Sequence, residues 1–565
     1  MLPALALLLV GLPAASPKGA VAASHPLAAE AGAAVMRRGG NAVDAAVAAA
    51  FALGVVEPMS SGIGGGGFAL LYTAKDRKAR AFDFREKAPG RATPDMFIEN
   101  GRPRQDLAEK GALSVAVPSA VRGYTELVKR FGRKPLAEIV GPAEMIAARG
   151  FQVSLRYALV AREMEDCLAA DPEAARTFLR RDSSGEYTAL DPGDSLLQPE
   201  LARTLHAIGE KGADAFFKGR VAKSIVQTLR ARGGIIELDD FSRVDFRERT
   251  PMESTYRGHR VVTMPLPSSG GFFLLALLNV LEREDARAGG YRPERFLHVM
   301  IEAEKRLFAQ RRGLGDPAFS QGLEEKLARM ITKDFAGDLH HAIGDRATPA
   351  AQVLGISEHG TTSVSAADEE GNVITITTTV NGAFGSCVVA KGTGVLLNDQ
   401  MDDFAVSAGV ANQFGLTGDK ENAPEPGKIP LSSMAPTFLF APGGELVLTL
   451  GAAGGSTIPT TLAQAIVHVV DDGMAVDRAI AMPRLHQNLI PDVVRVEPAG
   501  LEAATAAALE ARGHKLQFGD EMLRATEKGF FAQPWGKACG VQIDPDTAWR
   551  LAACDPRAEG GGATP

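Results

Sequence analysis

Thr361 follows His359 and Gly360 and opens the run TTSVSAADEEGNVITITTTVN, which ends at Asn381. Its two halves, Thr361 to Ala367 and Val373 to Val380, alternate and are rich in β-branched residues. The DEEGN between them carries turn chemistry, so the segment reads as a β-hairpin. A turn centred near Glu370 pairs residues whose numbers sum to about 740. This sets Thr379 beside Thr361, with Asn381 just beyond it. Polar groups thus gather at one end of the hairpin, preceded by a glycine whose backbone reaches conformations closed to other residues.

A threonine in this position can cut its own chain. Its hydroxyl attacks the preceding carbonyl, an ester forms, and hydrolysis frees an α-amino group with a reference pKa of about 7.7 to 8.0. That amine is close enough to neutrality to serve as general base for the same hydroxyl, and no histidine is required. Composition alone leaves a second reading open, because threonine is favoured in any strand. His359 reads as a loop histidine that ends the other chain after cleavage.

The positioning elements are read from pattern. From Ala28 to Val55 apolar residues recur at helical spacing. Gly39-Gly40-Asn41 splits the stretch into two helices, Asn41 can cap the second, and Pro58 follows its end. Gly62, Gly64 and Gly67 match G-x-G-x-x-G, but the run follows a helix and opens a strand, the reverse of a dinucleotide fingerprint. Gly111 to Arg232 and Gly271 to Arg312 read as mainly helical, and after Gly360 strands and glycine turns dominate. One compact body with a strand-rich C-terminal third is expected, with helices covering sheets.

The 565 residues are 45% hydrophobic and 23% charged, with 61 basic and 68 acidic side chains and a net charge of −7. These values describe a globular chain and exclude a disordered, collagenous or multi-span membrane protein. The acidic balance lacks the basic footprint of a nucleic-acid binder. Four cysteines, Cys167, Cys387, Cys539 and Cys554, exclude a disulfide-dense scaffold, and none has C-x-x-C spacing. The apolar run Leu2 to Leu12 has the shape of a secretory signal without its positive start, and is too short to span a bilayer. A secreted or periplasmic location is expected, with 1–23 as signal or lead-in and no stable membrane span.

Around Thr361 the sequence resembles the processing site of the γ-glutamyltranspeptidase family of N-terminal-nucleophile hydrolases. Further family motifs follow in order: GGNAVDAAVA at Gly39, GGGGF at Gly64, FREKAP at Phe84, MPLPSSGG at Met264, LLNDQMDDF at Leu396, PLSSMAPT at Pro430, GAAGGS at Gly451 and CDPR at Cys554. The resemblance implies a mixed α/β (α+β) four-layer αββα sandwich, cleaved between Gly360 and Thr361 into a helix-rich large chain, 24–360, and a strand-rich small chain, 361–565, that remain a heterodimer.

By the same resemblance Thr361 is the nucleophile and Thr379 orients it. Arg85, Ser432 and Ser433 hold the α-carboxylate of a glutamyl group, for which a guanidinium fork is well shaped. Asn381, Gln400 and Asp403 receive the α-ammonium, and Gly454 and Gly455 offer backbone N–H groups to the oxyanion. The polar stretch after Asp403 resembles a lid, with Phe414 as its aromatic gate.

The implied activity is γ-glutamyl transfer from glutathione and related amides to water or to the amines of amino acids and dipeptides, with no metal or organic cofactor. An acylase for glutaryl or cephalosporin side chains and a poly-γ-glutamate-processing enzyme are alternatives in the same fold. From the residues, a serine hydrolase lacks its G-x-S-x-G elbow here, while a noncatalytic binding protein of this fold remains open. Ser363 stands where the family usually has histidine, on the face shared by 361 and 365.

Overall fold

The computed structural model describes residues 12–287, 292–349, 361–410, 418–489, 492–519, 524–526, 529–531 and 535–565. Two seven-stranded antiparallel sheets form its centre. The first runs, edge to edge, Ala14–Ser16, Arg550–Cys554, Lys537–Ile543, Leu446–Ala453, Thr437–Phe440, His259–Thr263 and Met252–Tyr256. The second runs Arg247–Arg249, Lys78–Phe84, Gly66–Thr73, Val373–Thr379, Thr362–Asp368, Gly19–Ala23 and Gly561–Ala563. The central strands of the two sheets pack face to face. Helices Pro26–Arg37 and Ala42–Val56 cover the second sheet, while Ser269–Leu281 and Thr457–Asp472 cover the first, which gives the expected four layers.

Local chemistry explains the elements nearest the site. Asn41 and Asp44 form a reciprocal capping box, each side chain accepting the other's backbone N–H at 3.0 Å, which starts Ala42–Val56 where the sequence indicated. The hairpin has the expected register: Thr362 faces Thr378, Ser363 faces Thr377, and the pairing continues to Ala367 opposite Val373. Alternation then sorts the side chains. Val364, Ala366, Ile374 and Ile376 join the core shared with Ala42–Val56, while Ser363, Ser365 and Thr375 meet the other sheet.

Gly19–Ala23, grouped with the lead-in on composition, is a wholly buried strand between Thr362–Asp368 and Gly561–Ala563. These five residues therefore belong to the folded body. The four cysteines form two disulfides, Cys167–Cys387 and Cys539–Cys554, the second between directly opposed strand residues. Neither pairing was readable from spacing. Among the described residues no helix is long and apolar enough to cross a membrane.

Candidate active site

Thr361 immediately precedes the strand Thr362–Asp368 and is buried, at 5% exposure. Extending the hairpin register by one residue sets it opposite Thr379. The hydroxyl of Thr379 accepts the backbone N–H of Asn381 at 2.8 Å, and Asn381 takes φ 78°, a left-handed turn that asparagine tolerates. The glycine run serves this corner: a Cβ on Gly65 would fall 1.9 Å from the Thr379 carbonyl oxygen, and one on Gly64 2.0 Å from that of Leu396. Only hydrogen fits at either position.

Across the sandwich, Thr375 touches Thr449 and lies opposite Ser365. Ser363 presses on Gly451, where an added Cβ would sit 2.0 Å from its Oγ. The same two-residue step carries Thr361 towards Ala453 and the turn Gly454-Gly455. That turn has φ values of 124° and 58° and leads directly into the helix Thr457–Asp472. Its N–H groups lie at the positive end of the helix dipole, a suitable environment for a developing oxyanion. Gly454 is confined by Thr457 Oγ1 and Gly536 Cα, 2.4 and 2.7 Å from any Cβ.

A second cluster is assembled from four motifs. Arg85, at the end of the strand Lys78–Phe84, forms a buried ion pair with Asp403. Gln400 donates from Nε2 to the same carboxylate oxygen at 2.7 Å. The two residues expected to divide a substrate's carboxylate and ammonium are therefore each other's partners here. Burial raises the Asp403 carboxyl above its ordinary range, against the opposing pull of Arg85 and Arg311.

Asn381 donates to the Asp399 carbonyl at 3.1 Å and to Asp402 at 3.4 Å, which ties the hairpin end to this acidic turn. Ser432 is held against Ser268-Ser269, with Ser269 N–H donating to its carbonyl at 2.8 Å, so the two Ser-Ser motifs are neighbours. Ser433 is also buried. Gly360, Phe414 and His359 lie outside the described residues.

Several residues at the site were not singled out by sequence. Asn398 bonds Gly64, Ala116 and the Gln400 N–H, fixing the acidic turn against the glycine run. Glu86 is buried with both carboxylate oxygens unpartnered among the described residues, and burial pushes its carboxyl up to about 8. Glu57 accepts hydroxyl bonds from Ser24 at 2.6 Å and Thr362 at 2.8 Å, anchoring the strand that Thr361 begins. Burial favours a neutral Glu57, but Lys537 and Arg156 outweigh it and keep the carboxyl below its usual range. The buried Lys537 ammonium, 4.0 Å from Glu57, is in turn pushed down to about 7 by desolvation and by Arg156. Asn398 and Glu86 sit inside quoted motifs, so position in the motif was an available signal. Glu57 and Lys537 gave none.

Facing antiparallel sheets between helical layers, with a threonine leading a central strand, define the N-terminal-nucleophile hydrolase class. Cephalosporin acylase from Bacillus halodurans has a similar structure, with 26% identity, a TM-score of 0.82, and coverage of 98% of this chain and 96% of that one. The family model for γ-glutamyltranspeptidase matches residues 28–564, and the chain belongs to that family. The glutathione hydrolase proenzyme of Escherichia coli (strain K12) is 36% identical over 549 residues, 96% of this chain and 92% of that protein. The acylase ACY 1 proenzyme of Pseudomonas sp. (strain V22) is 36% identical over 514 residues, 89% of this chain and 88% of that protein.

Proposed function

We propose that this protein is a self-processing γ-glutamyltransferase and glutathione hydrolase with Thr361 as its nucleophile. The observation that carries the proposal is the hairpin register, Thr362 opposite Thr378, which supports Thr361 lying beside Thr379 on the face where Ser363 meets Gly451, three residues before Gly454. Thr361 Oγ attacks the Gly360 carbonyl and the peptide nitrogen leaves as the α-amine, giving an ester that water hydrolyses. The large chain, in which Gly19–Ala23 must be retained, and the small chain 361–565 remain associated, since both contribute strands to each sheet.

In turnover the free amine of Thr361 takes the hydroxyl proton as Oγ attacks the γ-carbonyl of the donor. Gly454 and Gly455 N–H groups stabilise the tetrahedral oxyanion. The ammonium of Thr361 returns its proton to the departing amine, leaving a γ-glutamyl ester on the threonine. Water, or the amine of an amino acid or dipeptide, then attacks that ester by the reverse proton path. Donor binding opens the Arg85–Asp403 pair: the α-carboxylate goes to Arg85, Ser432 and Ser433, and the α-ammonium to Asp403, Gln400 and Asn381. A lid containing Phe414 would shield the ester from water.

Two disulfides favour an oxidising compartment, in keeping with a secreted or periplasmic protein. Rates on γ-glutamyl-p-nitroanilide and glutaryl-p-nitroanilide test the substrate class. The first is expected to be turned over faster, and a preference for the second would make the protein a glutaryl acylase.

A further inference from the structure

Arg311 begins the short 3-10 turn Arg311–Gly313 that directly follows the helix Glu294–Gln310. The next residue, Arg312, reaches outward to Asp419 at 3.2 Å. Arg311 instead turns inward and is 5% exposed, and its Nε and Nη2 have no hydrogen-bond partner among the described residues. A buried guanidinium with unfilled donors is costly unless something anionic completes it.

Its position is tightly specified by the segments that carry Asp403 and Ser432. The Arg311–Gly313 turn packs on Lys420–Asn422. Asn422 donates to the Asp403 carbonyl at 2.7 Å and accepts the Leu431 N–H at 3.1 Å, one residue before Ser432. A Cβ on Gly315 would fall 2.0 Å from the Glu421 carbonyl oxygen, and Asp316 accepts the Ile429 N–H at 3.0 Å. The backbone that carries Arg311 is thus clamped to both the Asp403 and the Ser432 segments.

Arg85 and Asp403 are the charges that act on Arg311 inside the protein. Burial lowers its guanidinium to about 10, with Asp403 opposing and Arg85 adding to the effect. It therefore remains a cation at neutral pH. Glu86 is uncharged there, and Asp83 is occupied by Arg249. Arg85 and Arg311 against Asp403 leave one excess positive charge, which a single carboxylate neutralises.

We propose that Arg311 is a second guanidinium of the acyl-donor pocket, donating from Nε and Nη2 to the donor's carboxylate alongside Arg85. The proposal rests on Thr361 being the nucleophile of this pocket. Arg85 can be drawn off by Asp403, whereas Arg311 forms no ion pair among the described residues and offers two aligned donors.

The test uses three p-nitroanilides with the purified protein. The γ-glutamyl donor carries carboxylate and ammonium, the glutaryl donor carboxylate alone, and the 4-aminobutyryl donor ammonium alone. Arg311→Gln is expected to lower kcat/KM on the first two by roughly 10- to 100-fold, mainly through KM, and to change the third by less than about threefold. Arg311→Lys, which keeps the charge but not the fork, should recover part of the loss on the first two. Equal losses on all three donors would mean that Arg311 only supports the fold, and no loss on the carboxylate donors would overturn the proposal. Should the unsubstituted protein prefer the glutaryl donor, the γ-glutamyl reading fails while the Arg311 comparison still decides this proposal.

Discussion

Cys167 and Cys387 lie on opposite sides of the Gly360–Thr361 bond in sequence and are joined by a disulfide in the fold, with their Cα atoms 5.9 Å apart. After cleavage that bond is a covalent tie between the large and small chains. Denaturing electrophoresis without reductant should therefore show one species at the full mass, which separates into two on reduction. Cys387→Ser should give two species without reductant. Two species from the unsubstituted protein under oxidising conditions would show that the tie is not formed.

Glu86 gives stability a pH dependence of definite sign. Its carboxyl is raised from an ordinary value of 4.5 to about 8 in the folded protein. Between these values the folded state holds a proton that the unfolded state has lost, so stability falls as pH rises. The slope is about 1.4 kcal/mol per pH unit, and the contribution is intact below 4.5. Glu86→Gln cannot lose that proton. Urea unfolding from pH 5 to pH 8 should show a flatter dependence for this variant, and parallel curves would disprove the assignment.

Ser363 and Gly451 limit each other across the sandwich. Gly451→Ala brings a methyl within 2.0 Å of Ser363 Oγ and 2.8 Å of Thr375 Cγ2. Overpacking of this kind costs about 1 to 3 kcal/mol. Pairing the change with Ser363→Ala removes the worst contact and should recover part of the lost thermal stability. If Gly451→Ala melts like the unsubstituted protein, the sheets are not packed as described.

With the amine of Thr361 as the proposed general base, activity acquires a defined response to pH. The catalytic form is neutral, so kcat/KM should rise with pH through an apparent pKa at or below about 7.7 to 8.0, because burial favours the uncharged amine. A rate that falls across this range would point to a different base. Asp403→Asn leaves Arg85 without its carboxylate and removes the proposed acceptor for the donor's ammonium. It should lower kcat/KM for the γ-glutamyl donor by at least tenfold, with a smaller effect on the glutaryl donor.

Local chemistry was the legible part of the chain. The DEEGN turn and the period-two alternation gave the hairpin register, and Asn41 marked its helix start. Both depend on residues a few positions apart. Gly19–Ala23 was hidden because alanine and glycine carry little strand preference, and its burial comes from Thr362–Asp368 and Gly561–Ala563, far away in sequence. Arg311 and the Cys167–Cys387 pair were hidden for the same reason: each acquires meaning only when distant segments meet. The motifs drew attention to Arg85 and Asp403, but no pattern indicated that they would pair with each other.

The most direct measurement is the intact mass and N-terminal sequence of the purified, reduced protein. Two polypeptides are expected, the smaller comprising residues 361–565 and beginning with Thr361, and a single uncut, inactive chain for Thr361→Ala. An unbroken chain that still turns over γ-glutamyl-p-nitroanilide, or normal cleavage in Thr361→Ala, would contradict self-processing at Thr361.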